Sequence, residues 1–296
     1  MCLFDVILCI FAVLIYNNVY MKVRKFIVPF MILFLVSCGQ EEKKASELLS
    51  RAEVSFRSAN YSEAKLQIDS IRNLYPKVFD VRKKAIKLMQ QVELEEQNVS
   101  LAYLDSMLNV KQSVLDSMKV GFVLEKDTAY QEVGNYFYPS QIVEKNIGRT
   151  FLRACVSEKG EMSLTSIYCA GGTLNHTSVK VSSADAFAQT PTSPDMYVTS
   201  DLGRKIEKAD YKVGSDGGVV GFIIANKDAK SLKLEFIGDR TYRTVMYSPD
   251  IKAIVEVSKL AQVLASMEEI RKEQKEANLK IQFLKKKIAE TVIEEK

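Results

Sequence analysis

Nucleophilic chemistry needs a thiol or hydroxyl beside a base, and this chain has one histidine from which to build such a pair, His176. It comes directly after Gly171-Gly172-Thr173-Leu174-Asn175, not far along the chain from Cys155 and Cys169. A reactive cysteine sits in an accessible, electropositive setting. Both cysteines instead fall within apolar runs that read as strands, and His176 reads as an ordinary loop histidine. A single histidine also leaves little from which to build a metal centre. No catalytic set, metal ligand set or cofactor-binding motif is identified. The glycine-rich run Gly214-Ser215-Asp216-Gly217-Gly218 could cradle an anion if it opened a helix. The next segment, Val219–Ala225, reads as a strand, so the glycine-rich run reads as a hairpin turn. The candidate binding residues are aromatic: Tyr130, Tyr136 and Tyr138. Tyr136 and Tyr138 share one face of a strand and Phe137 the other, which leaves open which face is core.

The elements that must position these residues divide the chain by composition. Residues 120–247 read as a β-rich head domain. Its clearest strands are Arg149–Ser157, Ser163–Ala170, Ser178–Val181, Val219–Ala225, Leu232–Ile237 and Thr241–Tyr247, the last two joined across Gly238-Asp239-Arg240. Ser182–Pro194 reads as a polar, Pro-containing loop with the character of a flap. A turn at Glu158-Lys159-Gly160-Glu161 places Cys155 opposite about Leu164 and Cys169 opposite about Thr150. That offset of about five residues separates the thiols by roughly 16 Å, on opposite faces, beyond the reach of a disulfide. Two buried free thiols are expected.

Helices flank the head. Leu48, Leu49, Ala52 and Phe56, then Ala64, Ile68 and Ile71, recur at helical spacing around a break at Ala59-Asn60-Tyr61-Ser62. Residues 45–76 therefore read as a helical hairpin. Val81, Ala85, Leu88, Val92, Val99 and Ala102 continue the pattern in a long helix that closes the segment 45–119. From Ser248-Pro249-Asp250, a good helix start, a second long helix runs through 248–296. Its seam is Leu260, Val263, Met267, Ile270, Gln274, Ala277, Ile281, Leu284, Ile288 and Thr291, in alternating steps of three and four. The fold class expected is α+β: an N-terminal helical hairpin, two long helices pairing as an antiparallel coiled coil, and an inserted antiparallel β-rich domain. Such a pair would form a stalk of about 60 Å.

The N-terminal segment carries a different kind of signal. Met21-Lys22-Val23-Arg24-Lys25 is a cationic start, Phe26 to Phe34 is apolar, and Leu35-Val36-Ser37-Cys38 closes the run. The apolar stretch is too short to span a bilayer comfortably. This segment resembles the signal peptide and lipobox of bacterial lipoproteins. The resemblance implies cleavage before Cys38, acylation of Cys38 and a mature chain anchored by lipid. Residues 1–37 are then the signal peptide, with translation starting at Met21 and residues 1–20 an over-read, and 38–44 is a lipidated tether. Glu41 and Glu42, close behind the cysteine, resemble export signals of some Gram-negative surface lipoproteins. The outer membrane is the expected location, on either face. Residues 45–76 also resemble a single tetratricopeptide-type repeat at Ala52, Asn60, Tyr61, Glu63, Ala64 and Pro76.

Losing residues 1–37 removes Lys22, Arg24 and Lys25 against Asp5, which lowers the formal net charge from +4 to about +2. So small a charge argues against a nucleic-acid partner. The expected function is that of an envelope-anchored lipoprotein acting non-enzymatically, through a protein partner or self-association, as a scaffold or assembly factor. The alternative is a ligand-binding or hydrolytic β head for a glycan, peptide or lipid, held on a helical spacer.

Overall fold

The structure is a computed structural model that describes residues 40–184, 186–201 and 203–293. Cys38 and the segment leading into it lie outside the described residues. The protein is α+β, with helices and two antiparallel sheets. It divides into two compact units: residues up to Leu101 together with those from Ala277, and Ala102–Glu276. The division falls inside both long helices rather than at 119 and 247.

The first unit is helical. Helix α1 spans 40–57, so the polar stretch expected as a tether is helical from Gln40. Helix α2 (Tyr61–Leu74) opens on Asn60, whose side-chain oxygen accepts the Glu63 N–H at 3.3 Å. Such a cap satisfies one of the unpaired donors of the first turn. Helix α3 runs from Phe79 to Lys119. One core joins Ala45, Leu49 and Ala52 of α1, Ala64, Ile68 and Ile71 of α2, and Val81, Ala85, Leu88 and Val92 of α3. Ala45, Ala52 and Ala64 are fully buried; with no side chain beyond Cβ they allow close helix approach. The Lys65 ammonium bridges α2 to Glu96 of α3 at 2.8 Å. The α3 stripe holds as far as Val92 and then slips, for Val99 is 50% exposed and burial resumes at Leu104.

The second unit carries both sheets. Its strands are β1 (Val123–Glu125), β2 (Asn135–Phe137), β3 (Phe151–Ser157), β4 (Met162–Ala170), β5 (Ser178–Ser183), β6 (Ala186–Gln189), β7 (Met196–Asp201), β8 (Arg204–Lys212), β9 (Lys233–Ile237) and β10 (Thr241–Val245). One sheet has the order β1-β2-β3-β4-β8-β7 and the other β10-β9-β5-β6. Leu152, Ala154, Val156, Leu164 and Ala209 from the larger sheet share a core with Val179, Val181, Leu234 and Phe236 from the smaller. Helix α4 (Val219–Ala225) packs into that core, as do Ile254, Val257, Leu260, Leu264 and Met267 of α5 (Ser248–Ile293). The segment 120–247 therefore does not close a core by itself. All ten seam residues of α5 are buried or half-buried.

Three expectations change. Val219–Ala225 is a helix, not a strand, with Val219, Val220 and Ile223 on its buried side. Within Ser182–Pro194, Ser182 and Ser183 end strand β5 and Ala186–Gln189 is strand β6 paired with it, while residues 190–194 are loop. In the β3–β4 hairpin Cys155 faces Ser163, one residue from the expected register. That slip places Cys169 six residues along from Cys155's level, on the same face rather than the opposite one. The thiols are free, as expected, but half-buried.

Candidate functional site

Strand alternation brings the one histidine to an acid and a hydroxyl. Ser166 and Tyr168 point inward from β4, and Glu207, Ala209 and Tyr211 point inward from β8, with Ser166 opposite Ala209 and Tyr168 opposite Glu207. The connection from β4 to β5 then returns His176 to this face. Its Nε2 lies 2.7 Å from Ser166 Oγ and its Nδ1 2.9 Å from Glu207 Oε2. An ionised carboxylate only accepts, so Nδ1 carries the proton donated to Glu207. The same carboxylate accepts backbone N–H bonds from Leu174, Asn175 and His176. Burial alone would push the Glu207 carboxyl up; the bonds from the His176 ring and those three N–H groups outweigh it and hold the carboxyl below its ordinary value.

The order acid, imidazole, hydroxyl is that of a nucleophilic triad. Access is the missing condition. Ser166, His176 and Glu207 are each 0% exposed. The imidazole is edged by Phe236 at 5.2 Å and Tyr168 at 6.3 Å between centroids, and Ser166 Oγ also contacts the Ala209 carbonyl at 3.3 Å. A substrate carbonyl has no path to that oxygen. The constellation ties the loop before β5 to β8, and His176 is a core residue, not an ordinary loop histidine.

The opposite face of the same sheet is open. A cleft of about 650 Å³ lies over Cys155, Ser163, Thr165, Asp210 and Lys212, closed at one side by 191–195, which includes the end of the expected flap. Thr165 Oγ1 donates to Asp210 Oδ1, and Ser193 Oγ donates to the Asp210 carbonyl at 2.8 Å, which fixes the loop to β8. The cleft thus offers hydroxyls, carboxylates and an ammonium, a lining suited to holding a polar molecule by hydrogen bonds. Burial pushes the Cys155 thiol up to about 11, against the smaller opposing pull of Arg153, so it is not a thiolate nucleophile at neutral pH.

The three aromatic candidates do not converge. Tyr136 and Tyr138 pack partly buried against the core of the sheet unit, with Tyr138 edge-on to Phe122 at 5.8 Å between centroids. Tyr130 stands apart, 90% exposed in a turn. Phe137 lies buried under the Arg153 guanidinium, 3.7 Å from its ring centroid. The glycine-rich run 214–218 leads into a helix after all, yet the chain's own carboxylate fills that end. Asp216 accepts the Gly214 N–H at 3.2 Å and the Val220 N–H at 2.8 Å. Cys38, the candidate lipidation site, lies outside the described residues. Among the described residues no group of three or more His, Cys, Asp or Glu side chains could hold a metal ion, and no helix is long and apolar enough to cross a membrane.

Sequence reasoning missed Ser166 and Glu207 because β8 does not look like a strand with a buried face. Its outward residues are Lys208, Asp210 and Lys212, and its inward face contains a carboxylate. The available signal was the period-two placement of Ala209 and Tyr211 after Glu207. Neither a family model, nor a curated protein, nor a solved structure matches this chain.

Proposed function

We propose that this chain is a lipid-anchored envelope protein that acts without catalysis, through contacts with a protein partner or with its own copies. The observation that carries this reading is apolar surface on the helical unit. Val54, Leu66, Leu74, Phe79, Ile86 and Val99 are each at least 50% exposed. Phe79 and Ile86 stand two turns apart on one face of α3, and Leu66 and Leu74 are about two turns apart on α2. Isolated exposed apolar residues are ordinary, whereas large ones grouped on adjoining helices mark interaction surfaces. The cationic and apolar run ending at Cys38 supports the anchor.

The arrangement proposed to serve this role is a helical hairpin from α1 and α2, with α3 and α5 paired antiparallel. Gln274 of the α5 seam donates to Asp105 of α3 at 2.6 Å, and a polar seam residue of this kind fixes register. Cross-linking in intact cells, followed by tagged purification and mass spectrometry of the lipidated chain, tests the reading. One reproducible envelope protein, or a dimer of this chain, is the expected result. Repeated capture of background proteins alone would count against it.

The open cleft on the larger sheet favours a second reading, a ligand-binding head. Titrating the full chain against panels of glycans and short peptides tests it. Saturable binding lost in Asp210→Asn would support the cleft as the site, and no binding across both panels would dismiss it.

A further inference from the structure

We propose that strand β7 is a self-pairing edge, through which two copies of this chain join their six-stranded sheets antiparallel, β7 to β7. Among the described residues the two sheets end on β1, β7, β10 and β6. Short or charged edge strands discourage pairing with another chain. Strands β1 and β6 have only three and four residues. Strand β10 has five, with Arg243 at its centre, which pairing in full register would set against its own copy. Strand β7 has six, no proline and no basic residue, and its one charge, Asp201, is at its end. It is half-buried at Met196 and exposed at every later residue, Tyr197 and Val198 among them.

The ladder with β8 shows which main-chain groups are free to pair. Opposed residues in an antiparallel pair alternate between those that exchange hydrogen bonds and those that do not. Asp195 accepts the Asp210 N–H at 3.2 Å, and the same register sets Tyr197 against Lys208, Thr199 against Ile206 and Asp201 against Arg204. The odd residues therefore bond to β8, and Met196, Val198 and Ser200 turn their N–H and C=O groups to the open edge. Two copies can bond only even residue to even residue, which leaves few registers. Centred on Val198, the pairing sets Asp201 against the second copy's Asp195, and like charges directly opposite are destabilising. Centred on Thr199, it sets Asp201 against the second copy's Tyr197, whose ring already carries the Lys208 ammonium at 5.4 Å. Each Val198 then exchanges its main-chain bonds with the other copy's Ser200. The two Thr199 side chains meet at the two-fold axis, a favourable cross-strand pair. The edge is thus complementary to itself, in charge and in hydrogen bonding, and a second copy is the occupant it fits. This contact lies on the sheet unit, so it stands or falls independently of the helical surface proposed above.

The register makes the test specific. Across the axis the two Thr199 Cα atoms lie about 4.5 Å apart, in a non-bonded pair, within the range a disulfide spans. The two Asp201 Cα atoms are four residues out of step, about 13 Å along the strand. Full-length chains carrying Thr199→Cys or Asp201→Cys are expressed in cells, oxidised with copper phenanthroline and run on non-reducing gels, with wild type as the control for Cys155 and Cys169. Thr199→Cys should give a homodimer, identified by mass spectrometry of the linked peptide, in at least fivefold greater yield than Asp201→Cys. Val198→Pro removes an outward N–H and leaves the β8 ladder intact, as an edge strand tolerates. Added to Thr199→Cys, it should lower the dimer at least fivefold without changing the thermal melt. Equal yields at the two positions would overturn the proposal, as would no dimer at Thr199→Cys, a product joined to a different protein, or a folded Val198→Pro chain that still links fully. If the proline variant does not fold, the comparison of the two cysteine positions still decides.

Discussion

Glu207 is a fully buried carboxylate with four donors, so removing its charge disturbs every one of them. Taking away one partner of a buried pair costs about 3 kcal/mol or more. Glu207→Gln should lower the unfolding free energy by about that amount in urea melts, and an effect as small as that of a surface substitution would contradict the assignment. The pH dependence has a definite sign. The folded carboxyl titrates below its unfolded value of about 4.3, so its contribution is complete above that pH and is lost as pH falls through the lower folded value. Wild type should therefore lose stability below about pH 4.3 more steeply than Glu207→Gln, and parallel curves would refute the linkage. Cys155 gives a second residue-scale test. With its thiol pushed up to about 11, alkylation by iodoacetamide at pH 8 should be slow in the folded chain and fast in urea. Equal rates would mean that the thiol is not held in its strand. None of this chemistry was legible around His176, because its acid lies 31 residues away and is delivered by the β4–β8 register rather than by any local motif.

At the scale of elements, the β3–β4 hairpin is tied to α5 by the absence of a side chain. Gly160 has φ +85°, and a Cβ there would run into the backbone of Ala265. Left-handed backbone costs a non-glycine residue about 1–2 kcal/mol before any clash. Gly160→Ala should therefore destabilise by at least about 2 kcal/mol, while Gly171→Ala, in open space, should be near neutral. Equal melting temperatures for the two would show that the hairpin does not press on α5. The long helices and five of the six expected strands were legible because their apolar periods are sustained. Val219–Ala225 was not, because a short β-branched apolar run suits strand and buried helix equally. What decides it is Asp216, whose carboxylate caps the turn by accepting the Val220 N–H. The hairpin register missed by one residue since the turn closes through the Ser157 carbonyl accepting the Gly160 N–H, which no composition rule fixes.

For the whole molecule, the expected boundaries tracked changes in composition, while the compact units track shared cores. Helix α5 contributes to the core of the sheet unit up to Met267, and its residues from Ala277 belong to the helical unit. The buried seam also changes which variants are informative. Ile281 and Leu284 are 6% and 2% exposed, so aspartate there would report on folding rather than on contacts. Leu66 and Phe79, 62% and 73% exposed, are the proper probes. The most direct measurement compares cross-linked partner capture in cells for wild type, Leu66→Asp and Phe79→Asp, each verified by an unchanged thermal melt. The account predicts one reproducible partner or self-dimer whose yield falls at least fivefold in one or both variants. Undiminished capture in both, from chains that melt like wild type, would contradict a function carried by the helical surface.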